Sequence, residues 1–233
     1  MAKLYLIPTT LSNTINSSAA LESQLEGIKH IRHFIVETAK IGRLHLKQLN
    51  LATPLQELSI NELNKHNQDL DELVAPLLNG YDLGLLSDCG LPAIADPGSG
   101  IVKLAHKIGI EVVPLIGPSS IFLALMSSGV NGQSFAFNGY LPIDKEERIN
   151  KIQQLKKQVL QSNQSQIFIE APFRNQQLLE TLILGLPDDF MLSISVDLMN
   201  PSQRIISYPI KFWKTLETLP DIHKKKVVFV IGV

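Results

Sequence analysis

The residues best suited to chemistry lie between Leu85 and Gly98, in the run Leu-Leu-Ser-Asp-Cys-Gly-Leu-Pro-Ala-Ile-Ala-Asp-Pro-Gly. An apolar stretch enters this segment and a helical pattern leaves it, with two Asp, two Pro and two Gly between them. Asp carboxylates accept hydrogen bonds from hydroxyl or ammonium groups, and Gly lets a ligand approach the backbone closely. In open α/β sheets ligands bind beyond the carboxyl ends of the strands, where a loop of this kind falls. The plainer alternative is a turn whose Asp96 or Ser99 caps the following helix.

Three further segments have the same form. Val113-Pro114-Leu115-Ile116-Gly117-Pro118-Ser119-Ser120 takes a strand pattern into a tight turn and then an apolar helix. Backbone N–H groups and Ser hydroxyls at such a helix start can hold an anionic or polar group. Ser119 can equally serve as a simple N-cap. The segment from Leu4 to Asn13 is a first strand ending in the polar turn after Pro8, and Phe168-Ile169-Glu170-Ala171-Pro172-Phe173-Arg174 is a strand stopped by proline.

These segments need a scaffold of alternating elements. Period-two and short apolar runs predict strands over Leu4–Ile7, Phe34–Glu37, Leu83–Ser87, Glu111–Pro114, Phe135–Asn138, Ile167–Glu170, Leu192–Val196, Arg204–Tyr208 and Val227–Ile231. Helical spacing predicts helices over Ile41–Leu49, Asp69–Leu78, Ile101–Ile108, Ser120–Ser127, Lys145–Leu160 and Asn175–Leu184. The alternation gives an α/β protein whose early strands are mostly parallel. Leu192–Val196 and Arg204–Tyr208 follow one another with no room for a helix, so an antiparallel piece is expected in a second sheet. The turn at Leu115–Pro118 is the expected boundary between two fused α/β subdomains, 1–116 and 117–233, with a ligand cleft between them.

Composition narrows the function classes. A chain of 233 residues with 45% hydrophobic and 18% charged content reads as a globular enzyme, not a disordered or fibrous protein. Cys89 is the lone cysteine, which excludes an intramolecular disulfide and a multi-cysteine metal site and fits a reducing compartment such as the cytoplasm. The run Leu4–Ile7 is too short for a secretory leader. The longest apolar stretch, Pro114 to Val130, is interrupted by Gly, Pro and Ser and is expected to be a buried helix, not a membrane span. A formal net charge of −1 gives no overall pull toward nucleic acid, so any basic surface must be local. His30, His33, His45, His106 and His223 have no metal-ligand spacing and read as surface or packing residues. Cys89 has no visible basic partner and reads as a small filler of a tight loop. The phosphate-binding Gly-x-x-x-x-Gly-Lys loop and the dinucleotide Gly-rich fingerprint are absent.

Taken in order, the four segments resemble the tetrapyrrole methylase superfamily and, within it, the ribosomal RNA small-subunit methyltransferase I branch. The branch pattern Pro-Thr-x-x-x-Asn is matched by Pro8, Thr9 and Asn13. Its Ser-Asp-Ala-Gly-Thr-Pro-x-Ile-Ser-Asp-Pro-Gly loop is matched by Ser87, Asp88, Gly90, Pro92, Ile94, Asp96, Pro97 and Gly98. Its Pro-Gly-Pro-Ser-Ala turn is matched at Gly117, Pro118 and Ser119, and its Gly-Phe-Leu-Pro by Gly139-Tyr140-Leu141-Pro142. Its Glu-Ala/Ser-Pro-His-Arg reads Glu170-Ala171-Pro172-Phe173-Arg174 here. The chain departs from the pattern at Cys89 and Leu91, which replace Ala and Thr, at Ser12, which replaces Gly, and at Val36-Glu37-Thr38-Ala39-Lys40, which replaces Ala-Glu-Asp-Thr-Arg. Longer members carry a C-terminal extension after the last strand.

The resemblance implies two α/β subdomains, a homodimer and S-adenosyl-L-methionine as cofactor, with contacts at Pro8, Asp88, Gly90, Leu91, Ile94, Ser119, Ser120, Ala171 and Pro172. Methyl transfer from a sulfonium is an in-line displacement that the protein mainly aligns. A hydroxyl acceptor also needs its proton removed or its oxygen polarised, for which Glu37, His66, Asp88 and Glu170 are candidates. His66 reads equally as an exposed helix-start residue. Lys40, Arg43 and Asn67 are candidate substrate contacts, with Arg32 beside them. Lys156-Lys157 and Lys224–Lys226 could extend that basic surface, but a polar helix face and protection of a strand edge explain them too. The implied activity is methylation of a ribose 2'-hydroxyl of small-subunit ribosomal RNA. Methylation of a tetrapyrrole or other small molecule is the alternative, as is a diverged, non-catalytic cofactor-binding dimer associated with RNA.

Overall fold

The computed structural model describes residues 2–12, 24–63 and 69–233. The chain divides into two compact units, Met1–Ser119 and Ser120–Val233. The boundary expected from the sequence lies three residues earlier.

The first unit holds strands β1 (Lys3–Leu6), β2 (His33–Val36), β3 (Ser59–Glu62), β4 (Leu83–Leu86) and β5 (Glu111–Pro114), with helices α1 (Ala39–Gln48), α2 (Leu70–Leu78) and α3 (Ser99–Lys107). The sheet order is β3-β2-β4-β1-β5 and every pairing is parallel. Parallel strands covered on both faces read as continuous apolar runs, which is why Leu-Gly-Leu-Leu of β4 is buried throughout. One face packs Leu4, Ile35, Leu83 and Leu85 against Leu73 and Leu77 of α2 and Ile101 of α3. The other packs Ile7, Phe34, Val36 and Leu86 against Leu46 of α1. Each such side chain contributes about 1.5–3 kcal/mol through burial. Strand β3 was not expected. Its Ser-Ile-Asn-Glu run is mostly exposed and lacks an apolar pattern; its order comes from register with β2, His33 opposite Ser59.

The second unit begins with helix α4 (Ser120–Ser128), followed by β6 (Phe135–Tyr140), α5 (Lys145–Ser162), β7 (Ser165–Ile169), α6 (Asn175–Gly185), β8 (Met191–Val196), β9 (Arg204–Pro209), the short α7 (Ile210–Trp213) and β10 (Val227–Gly232). Its sheet runs β6-β7-β10-β8-β9, with β6 and β7 parallel and the other neighbours antiparallel. The antiparallel β8–β9 pair is as expected. Phe168, Leu192, Ile194 and Phe229 face α5 and α6, and Ile167, Val228 and Val230 face α4.

Two expectations are corrected here. Helix α4 buries only one face: Ile121, Ala124 and Leu125 pack on the sheet, while Phe122 and Met126 are 54% and 78% exposed. The Lys224–Lys226 run does not guard a strand edge, because β10 is paired on both sides. Among the described residues, no helix is long and apolar enough to cross a membrane.

Candidate functional site

The parallel sheet of the first unit delivers four loops to its carboxyl edge, after β1, β2, β4 and β5. The loop after β4 is unusually bent. Gly90 and Gly98 take φ +89° and +134°, and Ala93 and Ala95 take +64° and +65°. A left-handed residue that carries a Cβ costs of order 1–3 kcal/mol and persists only where its surroundings hold it.

Hydrogen bonds to the neighbouring loops do the holding. The Thr9 backbone N–H donates to the Gly90 carbonyl at 2.8 Å, tying the β1 turn to the β4 loop. Thr38 donates twice to Asp88, its N–H to Oδ1 at 3.1 Å and its hydroxyl to Oδ2 at 2.7 Å. The Asp88 N–H in turn donates to Glu37 Oε2 at 3.1 Å. His45 Nε2, on α1, lies 3.1 Å from the Asp88 carbonyl, so in neutral His45 the proton sits on Nε2. Glu62, at the end of β3, accepts from the Ala39 N–H at 2.7 Å. Asp88 and Glu62 thus satisfy two orphan donors at the start of α1, where negative charge is favoured.

The β1 and β5 turns touch directly. A Cβ built on Gly117 would stand 2.1 Å from Pro8 Cβ, so the two turns meet only because residue 117 has no side chain. Pro8 and Thr9 are buried. Ser87, 2% exposed at the end of β4, has an Oγ with no hydrogen-bond partner. A buried hydroxyl left unmatched beside a bent, Gly-containing loop fits a ligand that completes it.

Of the residues singled out in the sequence, Pro8, Glu37, Asp88, Gly90 and Gly117 come together at this edge. Leu91 and the 48%-exposed Ile94 lie further along the β4 loop. Ser119 immediately precedes α4. Lys40 and Arg43 are exposed, one turn apart near the start of α1. His66, Asn67 and Asn13 lie outside the described residues. The N-cap position of α3 falls on Gly98, which has no side chain to cap it, and not on Asp96 or Ser99.

Ser120, Ala171 and Pro172 belong to the second unit. There, at the end of β7, Glu170 Oε1 accepts from the Ala171 N–H at 2.6 Å and from Arg174 Nε and Nη2 at 3.0 and 2.5 Å. Glu170 Oε2 is buried and has no partner. That carboxylate is committed to Arg174, which weakens its case as a proton acceptor.

Thr38 and His45 were missed by sequence reasoning. Thr38 precedes a helix and would pass for an ordinary N-cap, but its hydroxyl caps nothing in its own helix and goes to Asp88 instead. Nothing in the sequence near His45 announces a partner 43 positions away. The Asp88–Thr38 pair gives a direct prediction. Asp88→Ala removes an ionised acceptor of two hydrogen bonds and should destabilise the fold by about 2–4 kcal/mol. A urea midpoint equal to wild type would show that the pair holds nothing.

No family model matches the chain. Curated relatives do. It is 29% identical to "Ribosomal RNA small subunit methyltransferase I" of Vibrio cholerae, over 95% of this chain and 74% of that one. It is 31% identical to the Synechocystis protein of that name, over 94% and 72%. It is 28% identical to the Thermotoga maritima protein of that name, over 97% and 94%. Among solved structures, the methyltransferase CobJ matches at TM-score 0.63 and 13% identity, over all of this chain and 94% of the other. Uroporphyrin-III-C-methyltransferase from Thermus thermophilus matches at TM-score 0.56 and 16% identity, with the same coverage. At those identities the two structures speak for the fold alone.

Proposed function

We propose, for a chain that belongs to the ribosomal RNA small subunit methyltransferase I family, that it transfers a methyl group from S-adenosylmethionine to a ribose 2'-hydroxyl of small-subunit ribosomal RNA. The observation that carries the reading is the strained β4 loop, tied to Thr9 and Thr38 and matching the branch pattern at Ser87, Asp88, Gly90, Pro92, Ile94 and Asp96-Pro97-Gly98. When bound, the cofactor supplies a methyl carbon made electrophilic by its sulfonium, so the task of the chain is alignment and acceptor activation.

The residues present fit such a cofactor. In this reading Pro8, Asp88, Gly90, Leu91, Ile94 and Ser119 hold it in the first unit, with the Ser87 hydroxyl free to meet a polar group. Ser120, Ala171 and Pro172 are its proposed contacts in the second. Asp88 acts chiefly as a positioning residue, since Thr38 takes both its oxygens.

Glu37 is the better proton acceptor. Its Oε2 alone holds the Asp88 N–H, which leaves Oε1 outside that bond. It can therefore polarise a hydroxyl without giving up its place in the network. His66 and Asn67 stay assigned by the resemblance alone, the first as an alternative acid–base group and the second as a substrate contact. Exposed Lys40 and Arg43 supply local positive charge for a phosphate backbone in a chain of net charge −1. The reaction belongs in the cytoplasm, with the ribosomal substrate.

The working unit in this reading is a homodimer, supported by the exposed Phe122 and Met126 on α4. Large apolar side chains at i and i+4 on one helix face are ready to be covered by a symmetric copy. Light scattering should give twice the 25.8 kDa chain mass, and Met126→Glu should lower it toward the single-chain value. A wild-type mass of one chain at all concentrations would end the dimer proposal.

The activity itself is tested by offering labelled S-adenosylmethionine with either small ribosomal subunits or tetrapyrrole precursors. Label is expected in the ribosomal RNA. Label only in tetrapyrrole overturns the substrate and keeps the cofactor. Label in neither, with cofactor bound, supports the non-catalytic reading instead.

A further inference from the structure

The Pro220–Lys226 loop carries Lys224, Lys225 and Lys226 against a single acid, Asp221. It is clamped in place. Asn175, fully buried at the start of α6, donates through Nδ2 to the Lys225 carbonyl at 2.7 Å and to that of Ile222 at 3.5 Å. The Lys224 N–H donates to the Pro172 carbonyl at 3.0 Å, and the Lys226 N–H to Asp197 Oδ1 at 3.2 Å. Lys224 itself is held at φ +58°, a left-handed conformation costly for a residue with a Cβ.

Residues of this loop take part in two features. In the first, Lys224 Nζ stands 5.7 Å over the Phe173 ring and His223 meets that ring edge-on at 6.1 Å. Phe173 is 69% exposed, a large apolar ring kept at the surface where the branch pattern has His. In the second, Arg204, Lys225, Ser202 and Gln203 line a cavity of about 330 Å³, walled by Ile206 and Ile222. Asp221 lines it too, but its Oδ1 accepts from the His223 N–H at 3.0 Å. Lys225 lies 3.5 Å from Asp197 Oδ2, while the Arg204 guanidinium has no acidic partner among the described residues.

An exposed ring with cations beside it matches single-stranded nucleic acid, in which bases stack on aromatic side chains and phosphates meet Arg and Lys. A free anion would use Arg204 and Lys225 but leave the exposure of Phe173 unexplained. An apolar partner would use Phe173 but not the charges. We propose that Phe173, the Pro220–Lys226 loop and the Arg204–Lys225 cavity form a contact for a single-stranded stretch of the RNA substrate. One base stacks on Phe173, and a nearby phosphodiester is held by Arg204 and Lys225. The clamp by Asn175 sets the loop before RNA arrives, which lowers the ordering cost of binding. This rests on the RNA reading above and names the residues that the second unit contributes to it.

The test uses the full chain and a fluorescein-labelled, mixed-sequence single-stranded oligoribonucleotide, read by anisotropy across a salt series. Phe173→Leu keeps the apolar bulk and removes the ring. It should weaken binding by about 5- to 100-fold, with Phe173→Trp restoring it. Arg204→Ala with Lys225→Ala should flatten the slope of log K against log salt by about 1.4, two phosphate contacts at about 0.7 each. Both variants should bind S-adenosylmethionine as wild type does. Unchanged affinity in Phe173→Leu, or an unchanged slope in the double variant, overturns the proposal. If wild type still methylates small subunits in that case, the function stands and only this contact falls. A wild type that neither methylates subunits nor binds the oligonucleotide overturns both.

Discussion

Glu37→Gln should lower the rate of methyl transfer to small ribosomal subunits by about 10²- to 10⁴-fold while cofactor affinity stays within about twofold. The amide oxygen of Gln can still accept from the Asp88 N–H, the bond made at 3.1 Å in the native chain, so the loop keeps its shape. What Gln cannot do is take a proton from a hydroxyl. The effect should therefore fall on kcat and leave KM nearly unmoved, the signature of an interaction made in the transition state. Full activity in that variant would move the role to His66 or to unassisted attack by a well-aligned hydroxyl.

Gly117→Ala should be damaging for a steric reason. The new methyl would stand 2.1 Å from Pro8 Cβ and 2.3 Å from Pro8 Cγ, distances no packing tolerates. Either the β1 turn or the β5 turn must move. Overpacking of this kind costs about 1–3 kcal/mol and sometimes more. Both turns are proposed to hold the cofactor, so S-adenosylmethionine affinity should also drop by at least about tenfold, since 1.4 kcal/mol is a factor of ten. Pro8→Gly combined with Gly117→Ala removes the opposing Cβ and should recover part of the stability, a coupling that a double-mutant cycle isolates. Equal stability and equal affinity in Gly117→Ala would mean that the turns do not meet as described.

Much of the scaffold was legible because its signals are local. Strands β1, β4 and β5 are apolar runs that end in Pro, Asp or Gly, and the β8–β9 pair is visible from the lack of room for a helix between them. Strand β3 was not legible. Ser59–Glu62 has little apolar content, and only the register with β2 makes it a strand. Helix α4 looked buried because its composition is apolar all round, yet composition does not say which face a sheet covers. The lysines before β10 looked like edge protection because the position of a strand within its sheet is a property of the whole unit.

The same division runs through the site. The β4 loop was visible as a concentration of Asp, Pro and Gly, but the approach of Gly117 to Pro8 was not, since it depends on β1 lying beside β5. The bonds that fix the loop were not visible. Thr38 and Asp88 are 50 positions apart, and their pairing depends on β2 lying beside β4. Asp88 therefore read as a ligand or acid–base group when its clearest observed work is to anchor α1 to the loop. The Phe173 ring with Lys224 shows the same limit, since it joins α6's leading turn to the segment before β10.

The central claim is that this chain methylates a ribose hydroxyl of small-subunit ribosomal RNA. It is tested most directly by incubating purified protein with unmethylated small ribosomal subunits and labelled S-adenosylmethionine, then digesting the RNA to nucleosides for mass spectrometry. Wild type should form one labelled 2'-O-methylnucleoside, reduced by about 10²-fold or more with Glu37→Gln. Label on a base instead of a ribose, or no labelled nucleoside while the protein binds S-adenosylmethionine, would contradict it.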